Sequence, residues 1–247
     1  MIIREIKGNI DLTLPKFQCD YELTEKDISP LPNTHFFMVV CGRAGSGKTS
    51  IATSLLTSRG KKTIYRKIFD NVIIIMPKNS LNSLIDNHPF KKHDKVYNEM
   101  NLETLDEINE MVKDYAEENE NTLLFIDDMA SSLKNKNVSN MLNNFINNRR
   151  HLHLSIMLLT QYLNSIPLPV RRNISHLIMF KPTNKKETDI IFTELIFLTK
   201  DEYDEILKYS YKSKHDFLFI NLVTNEIYRN FNKLELNLNN DIINNGN

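Results

Sequence analysis

Five short apolar runs punctuate the chain: Phe36 to Val40, Val72 to Met76, Leu123 to Ile126, Ile156 to Leu159 and Leu177 to Phe180. Each has the length of a strand, and several carry no polar alternation, the pattern of strands covered on both faces. Between them the apolar spacing changes to three and four. After Gly47 the segment KTSIATSLLTSRG predicts a helix closing at Gly60, since glycine suits the left-handed turn that ends helices. Leu102, Leu105, Ile108, Met111, Val112 and Tyr115 form one stripe on an otherwise acidic helix, and Met141, Leu142, Phe145 and Ile146 repeat the pattern before the fourth strand. Strand and helix alternate, which predicts an α/β fold with a mostly parallel central sheet built from crossover units. Phe217 to Val223 and Glu226 to Phe231 flank Thr224 and Asn225, predicting a C-terminal antiparallel hairpin with a two-residue turn at the sheet edge.

A length of 247 residues suits one compact α/β domain. The expected division is an N-terminal arm over 1–33, closing with Pro30 and Pro32, one domain over 34–236, and an Asn-rich tail over 237–247. Asparagine makes up about one residue in eight, which codon bias in an AT-rich genome explains without special chemistry. Basic and acidic residues balance at 31 each, so a purely electrostatic nucleic-acid binder is excluded and any such contact must be a local patch. Cys19 and Cys41 are the only cysteines, too few for a disulfide framework, which implies a reducing compartment. Charges at Arg4, Glu5 and Lys7 argue against a signal peptide. No run approaches the roughly 18 apolar residues of a membrane span, so the expectation is a soluble intracellular protein.

The segment VVCGRAGSGKTS carries the strongest chemical signal. Gly42, four residues, Gly47, Lys48 and Thr49 match G-x-x-x-x-G-K-[ST], preceded by a strand and followed by a helix. Its glycines let successive N–H groups of Gly42, Arg43, Ala44, Gly45, Ser46, Gly47, Lys48, Thr49 and Ser50 converge on phosphate oxygens, at the positive end of the helix. Lys48 would reach the β- and γ-phosphates of ATP, and the Thr49 hydroxyl would ligate Mg²⁺. The strand Leu123 to Ile126 ends in Asp127 and Asp128. Asp127 is placed to hold the metal at the carboxyl edge of the sheet, and Asp128 to orient or deprotonate the attacking water. Gln161, after the fourth strand, is a candidate to sense the γ-phosphate or, with Asp128, to position the water.

These segments together resemble the FtsK–HerA superfamily of DNA-pumping ATPases, and within it the genome-packaging ATPases of large nucleocytoplasmic DNA viruses and virophages. The resemblance spans roughly residues 34 to 182. It implies a P-loop NTPase of the RecA/ASCE type, a three-layer sandwich in which the strand ending at Gln161 lies between the other two motif strands. It also implies a hexameric or pentameric ring that moves double-stranded DNA into a capsid, at the assembly site in the host cytoplasm or in the virion. An arginine from the neighbouring subunit would complete each site, with Arg150 the best placed, Arg149 beside it, and Arg171 and Arg172 a second pair. Asp128 departs from the pattern, because many members of the superfamily carry Glu there. A helicase or DNA-partitioning motor on the same core is the nearest alternative, and a nucleotide-dependent scaffold the alternative outside enzymes. A small-molecule kinase is disfavoured by the lack of an Arg-rich lid. His151 and His153 lack companions for a metal site. The acidic stretch from Glu99 to Glu120 reads as a solvated face, and the clusters Arg59, Lys61, Lys62, Arg66, Lys67 and Lys181, Lys185, Lys186 as surface charge.

Overall fold

The computed structural model describes residues 28–57, 64–182 and 184–235. Most of the expected arm, the helix end at Gly60, Cys19, the cations Arg59, Lys61 and Lys62, and the tail lie outside the described residues. In chain order the elements are β1 (Phe37–Cys41), α1 (Lys48–Thr57), β2 (Asn71–Ile75), α2 (Lys78–Ser83), β3 (Val96–Tyr97), α3 (Leu102–Glu117), β4 (Thr122–Asp127), α4 (Lys136–Asn148), β5 (Leu154–Thr160), α5 (Leu168–Arg171), β6 (His176–Phe180), α6 (Lys185–Asp189), α7 (Lys200–Ser210), β7 (Phe217–Asn221), β8 (Glu226–Arg229) and β9 (Asn232–Lys233).

They build one sheet in the order β3-β2-β4-β5-β1-β6-β7-β8-β9. From β3 to β6 all neighbours are parallel, and from β6 onward they are antiparallel. The absence of polar alternation in β1 follows from its surroundings. Met38 and Val40 face a layer containing Ala52 and Leu55 of α1. Phe37, Val39 and Cys41 face the opposite layer with Leu105 and Ile108 of α3 and Leu142 and Phe145 of α4. The result is the expected three-layer sandwich.

Asparagine has structural uses here. The side chains of Asn101, Asn135 and Asn184 accept backbone N–H bonds at the starts of α3, α4 and α6, satisfying donors a helix leaves open. α7 opens on a capping box of Thr199 and Glu202. Leu102, read as part of the apolar stripe, stands exposed at the first position of α3, while Leu105, Ile108 and Val112 are buried.

The C-terminal hairpin differs from expectation in its turn. β7 ends at Asn221 and β8 begins at Glu226, so four residues connect them. Asn221 Oδ1 accepts from the N–H groups of Val223 and Thr224, an Asx turn that closes the strand earlier than its apolar run suggests. Residues 28–33, assigned to the arm on sequence, pack against the rest of the described chain: Ile28 and Leu31 are buried in the core with Met38 and Ala52, and Tyr65 Oη donates to Pro32 O at 2.7 Å.

Candidate nucleotide-binding site

Register places the motif ends side by side. Cys41 of β1 pairs with Thr160 of β5, and Leu159 of β5 pairs with Asp127 of β4, so phosphate loop, Gln161 and Asp127 emerge along one carboxyl edge. Open α/β sheets hold ligands at that edge.

Between β1 and α1 the loop turns on Gly45 (φ 72°) and Gly47 (φ 109°), conformations side chains avoid. Gly42 is fixed for a different reason: a Cβ there would lie 2.7 Å from Phe180 Cβ and 2.8 Å from Ser46 Oγ. Lys48 Nζ donates to the carbonyls of Gly42 (2.6 Å) and Arg43 (3.1 Å), bridging the loop's own start. Burial pushes the Lys48 ammonium down, opposed chiefly by the negative charge of Asp127. Arg43, Ala44, Gly45 and Ser50 are exposed, and Ser46 is buried with no hydrogen-bond partner for its hydroxyl.

Thr49, in the first turn of α1, donates its hydroxyl proton to Asp127 Oδ2 at 2.8 Å. The pair offers hard oxygen donors at the mouth of the loop, the donor set Mg²⁺ requires. Asp127 is buried, and burial raises its carboxyl above the ordinary 3.8, the Thr49 hydrogen bond being the largest opposing effect. Asp128 follows with φ 56°, a left-handed conformation Asp tolerates. Its Oδ1 accepts from Gln161 Nε2 at 3.3 Å. The side chains of Gln161 and Asp128 therefore meet at the carboxyl edge.

Asp127 carries a stability prediction. With its folded value raised, the native state holds more protons than the unfolded chain between the ordinary carboxylate range and the raised value, so stability falls as pH rises through that window. Asp127→Asn should raise the thermal midpoint of the ligand-free chain at neutral pH. That gain should vanish when wild type and variant are compared below the ordinary carboxylate value of 3.8. Equal midpoints at neutral pH would remove burial as the dominant influence.

On the far side of the loop lies a cleft of about 700 Å³ beside Arg43 to Ser46, walled by Phe180 to Pro182 and Tyr211 to Lys214. Arg43, Lys181, Lys212 and Lys214 line it, with no carboxylate among the described lining residues. Tyr211 is anchored by its Oη donating to Met179 O at 2.9 Å. Sequence reasoning missed this wall and two residues that grip the site. Glu187 of α6 is buried, and its Oε1 accepts from Leu163 N at 2.7 Å and from Cys41 Sγ at 3.3 Å. It thereby ties the segment after Gln161 to the end of β1. Burial, and then the Glu187 charge, push the Cys41 thiol well up, which removes it as a nucleophile. His215 Nδ1 lies 2.9 Å from Ser46 O. No local periodicity marks either residue, because each acts across a long separation in the chain.

The arginines lie elsewhere. Arg149 and Arg150 precede β5 and sit at the amino edge of the sheet, with Leu154 N donating to Arg149 O. The seven residues of β5 separate that edge from the loop by about 20 Å at the usual strand rise, so Arg150 does not reach this chain's own loop. Arg149 is engaged internally: Nε donates to His35 O (2.8 Å) and Nη1 to Ile146 O (2.7 Å). Arg150 is exposed. Arg171 pairs with Glu194 at 3.7 Å with its side chain mostly buried, and Arg172 is exposed. Lys181, Lys185 and Lys186, and Arg66 and Lys67, are exposed, as is most of the acidic face of α3.

A phosphate loop on β1, acids ending β4, and an extra strand carrying Gln161 between them define the P-loop NTPase fold of the RecA/ASCE type. The sequence pattern of the family described as "Poxvirus A32 protein" matches residues 25–201, and the chain belongs to that family. The DNA packaging protein OPG160 of Variola virus and that of Vaccinia virus (strain Copenhagen) are each 30% identical over 152 residues, which cover 59% of this chain and 53% of theirs. The chain thus spans about half the length of these curated relatives. Among solved structures, the DNA-packaging ATPase B204 from Sulfolobus Turreted Icosahedral Virus superposes with a TM-score of 0.60 at 16% identity, covering 80% of this chain and 98% of that one. The genome packaging NTPase B204 of Sulfolobus turreted icosahedral virus 2 with ATP-gammaS gives 0.58 at 16% identity, covering 79% and 96%. These likenesses concern the fold. No helix among the described residues is long and apolar enough to cross a membrane.

Proposed function

We propose that the chain is a Mg²⁺-dependent ATPase that works as a ring of identical subunits, hexameric or pentameric, and couples hydrolysis to movement of double-stranded DNA into a capsid. The observation that carries this reading is the convergence at one sheet edge of Lys48, the Thr49–Asp127 pair and the Gln161–Asp128 pair. The packaging names of the relatives and the nucleotide-bound structural neighbour support it.

In this reading the loop amides and Lys48 offset charge on the β- and γ-phosphates. Thr49 and Asp127 would hold Mg²⁺, which when bound neutralises developing phosphate charge. Gln161 orients a water, and Asp128 accepts its proton as the water oxygen bonds to the γ-phosphorus and the bond to the β–γ bridging oxygen breaks, leaving ADP and phosphate. The nucleoside lies toward the cleft between Phe180 and Lys214, and Arg150 acts on the neighbouring subunit's site. The working location is the viral assembly site in the host cytoplasm, or the virion.

The test is ATP hydrolysis as a function of protein concentration, with and without double-stranded DNA, while mass is tracked in the same samples. Turnover should rise with assembly and with duplex DNA. A fast, concentration-independent rate in a verified monomer contradicts a shared site. Dependence on single strands, or strand separation, points to a helicase or partitioning motor. Tight ATP binding with negligible turnover in every assembled state points to a scaffold.

A further inference from the structure

The phosphate loop is held from outside by a residue that no motif contains. His215 Nδ1 lies 2.9 Å from the Ser46 carbonyl oxygen, and because a carbonyl only accepts, Nδ1 carries the proton. Ser46 stands between Gly45 (φ 72°) and Gly47 (φ 109°), the stretch of the loop with the least conformational preference of its own. In a trans peptide the carbonyl of one residue and the N–H of the next point in opposite directions. Holding the Ser46 carbonyl toward His215 therefore turns the Gly47 N–H away from it, to the other side of the loop.

His215 is itself exposed, so burial does not place it. Its neighbour Asp216 does. Asp216 is buried, and its Oδ2 accepts from Lys212 N (2.9 Å), Ser213 N (2.8 Å) and Arg229 Nη2 (2.8 Å), while its Oδ1 accepts from Asn230 Nδ2 (2.7 Å). Arg229 Nε donates to Ser210 O at 2.8 Å, closing the end of α7, and Asn230 Oδ1 accepts from Phe217 N at 3.0 Å. The hydrogen bonds from Asn230 and Arg229 hold the Asp216 carboxyl well below the usual carboxylate range. Every group on this carboxylate belongs to the segment 210–216 or to the β8 end, so the network fixes a rigid strap whose projecting side chain is His215.

We propose that His215 is a positioning residue for the phosphate loop, and that through it the C-terminal antiparallel strands brace the loop in its phosphate-accepting shape before nucleotide arrives. The proposal rests on the nucleotide-site reading above. A braced loop has less conformational freedom to lose on binding, and such preorganisation appears as affinity. Losing one neutral hydrogen bond of ordinary net worth should weaken nucleotide binding roughly fivefold.

The experiment uses the full chain with His215→Leu and His215→Asn, whose amide nitrogen stands as many bonds from Cα as Nδ1 does. Two quantities are read beside the thermal midpoint: hydrogen exchange of the peptide carrying residues 42–47 without nucleotide, and the Kd of a fluorescent ATP analogue with Mg²⁺. His215→Leu should exchange faster in the loop and bind about fivefold more weakly at an unchanged midpoint, and His215→Asn should restore both. Wild-type exchange and affinity in His215→Leu would overturn the brace, as would equal losses in the two variants. Should His215→Leu lower the midpoint, His215→Ala is read in its place by the same criteria. If the wild-type chain does not bind the analogue, the nucleotide reading fails, while the exchange comparison still decides the brace.

Discussion

Lys48→Ala is expected to lower ATP turnover at saturating nucleotide by at least about 10²-fold, the scale set by removing one preorganised donor from a developing anion. The side chain already reaches the inner loop, through the carbonyls of Gly42 and Arg43. Those contacts are exchangeable: phosphate oxygens arriving in the loop would draw the ammonium from two neutral carbonyls to a charged partner, a stronger hydrogen bond. Binding should fall less than turnover, because the loop amides remain. Nor should the ligand-free fold suffer, since burial already disfavours the charged ammonium. Steady-state turnover, analogue Kd and thermal midpoint on the same preparation separate these effects. Turnover within tenfold of wild type would show that Lys48 does not face the transferred phosphate.

What could be read in the sequence follows from how each feature is encoded. β1, β4 and β5 are buried on both faces, so each is written as an unbroken apolar run that no helix of that length would need. The phosphate loop is local, and its spacing alone specifies a turn that Gly45 and Gly47 then adopt. The place of β5 between β4 and β1 has no local code, and came only through resemblance. Between α6 and β7 the sequence marks no helix, although two helical segments lie there. α6 continues into a π-helical turn over Ile190–Leu195, which breaks the 3.6 period, and Phe197 beyond it is exposed with φ 61°. Glu187 and His215 are single polar residues whose partners, Cys41 and Ser46, stand 146 and 169 positions away. No window along the chain contains both ends of such a contact. Asn101, Asn135 and Asn184 were hidden by abundance, because a residue frequent everywhere gives no contrast where it caps a helix.

Arg150→Ala should leave assembly intact and lower turnover by about 10³ to 10⁵, the range an arginine supplied to a phosphoryl transition state commands. Position, not sequence spacing, now frames the test. Arg150 lies at the amino edge of β5 while the loop lies at the carboxyl edge, so a loss of this size cannot come from the chain's own site. Mixing makes that distinction measurable. Arg150→Ala chains keep an intact loop, and Lys48→Ala chains keep an intact Arg150, so a mixed ring contains interfaces where both are present. Each inactive variant alone should then recover turnover on mixing, in proportion to such interfaces, once mass shows that the chains exchange. Arg149→Ala supplies the contrast: that guanidinium holds the carbonyls of His35 and Ile146, so its loss should lower the thermal midpoint and should not be rescued by mixing. No recovery in verified mixed rings would exclude Arg150 as the group donated between subunits, and Arg172, the exposed member of the second pair, would then be the residue to mix.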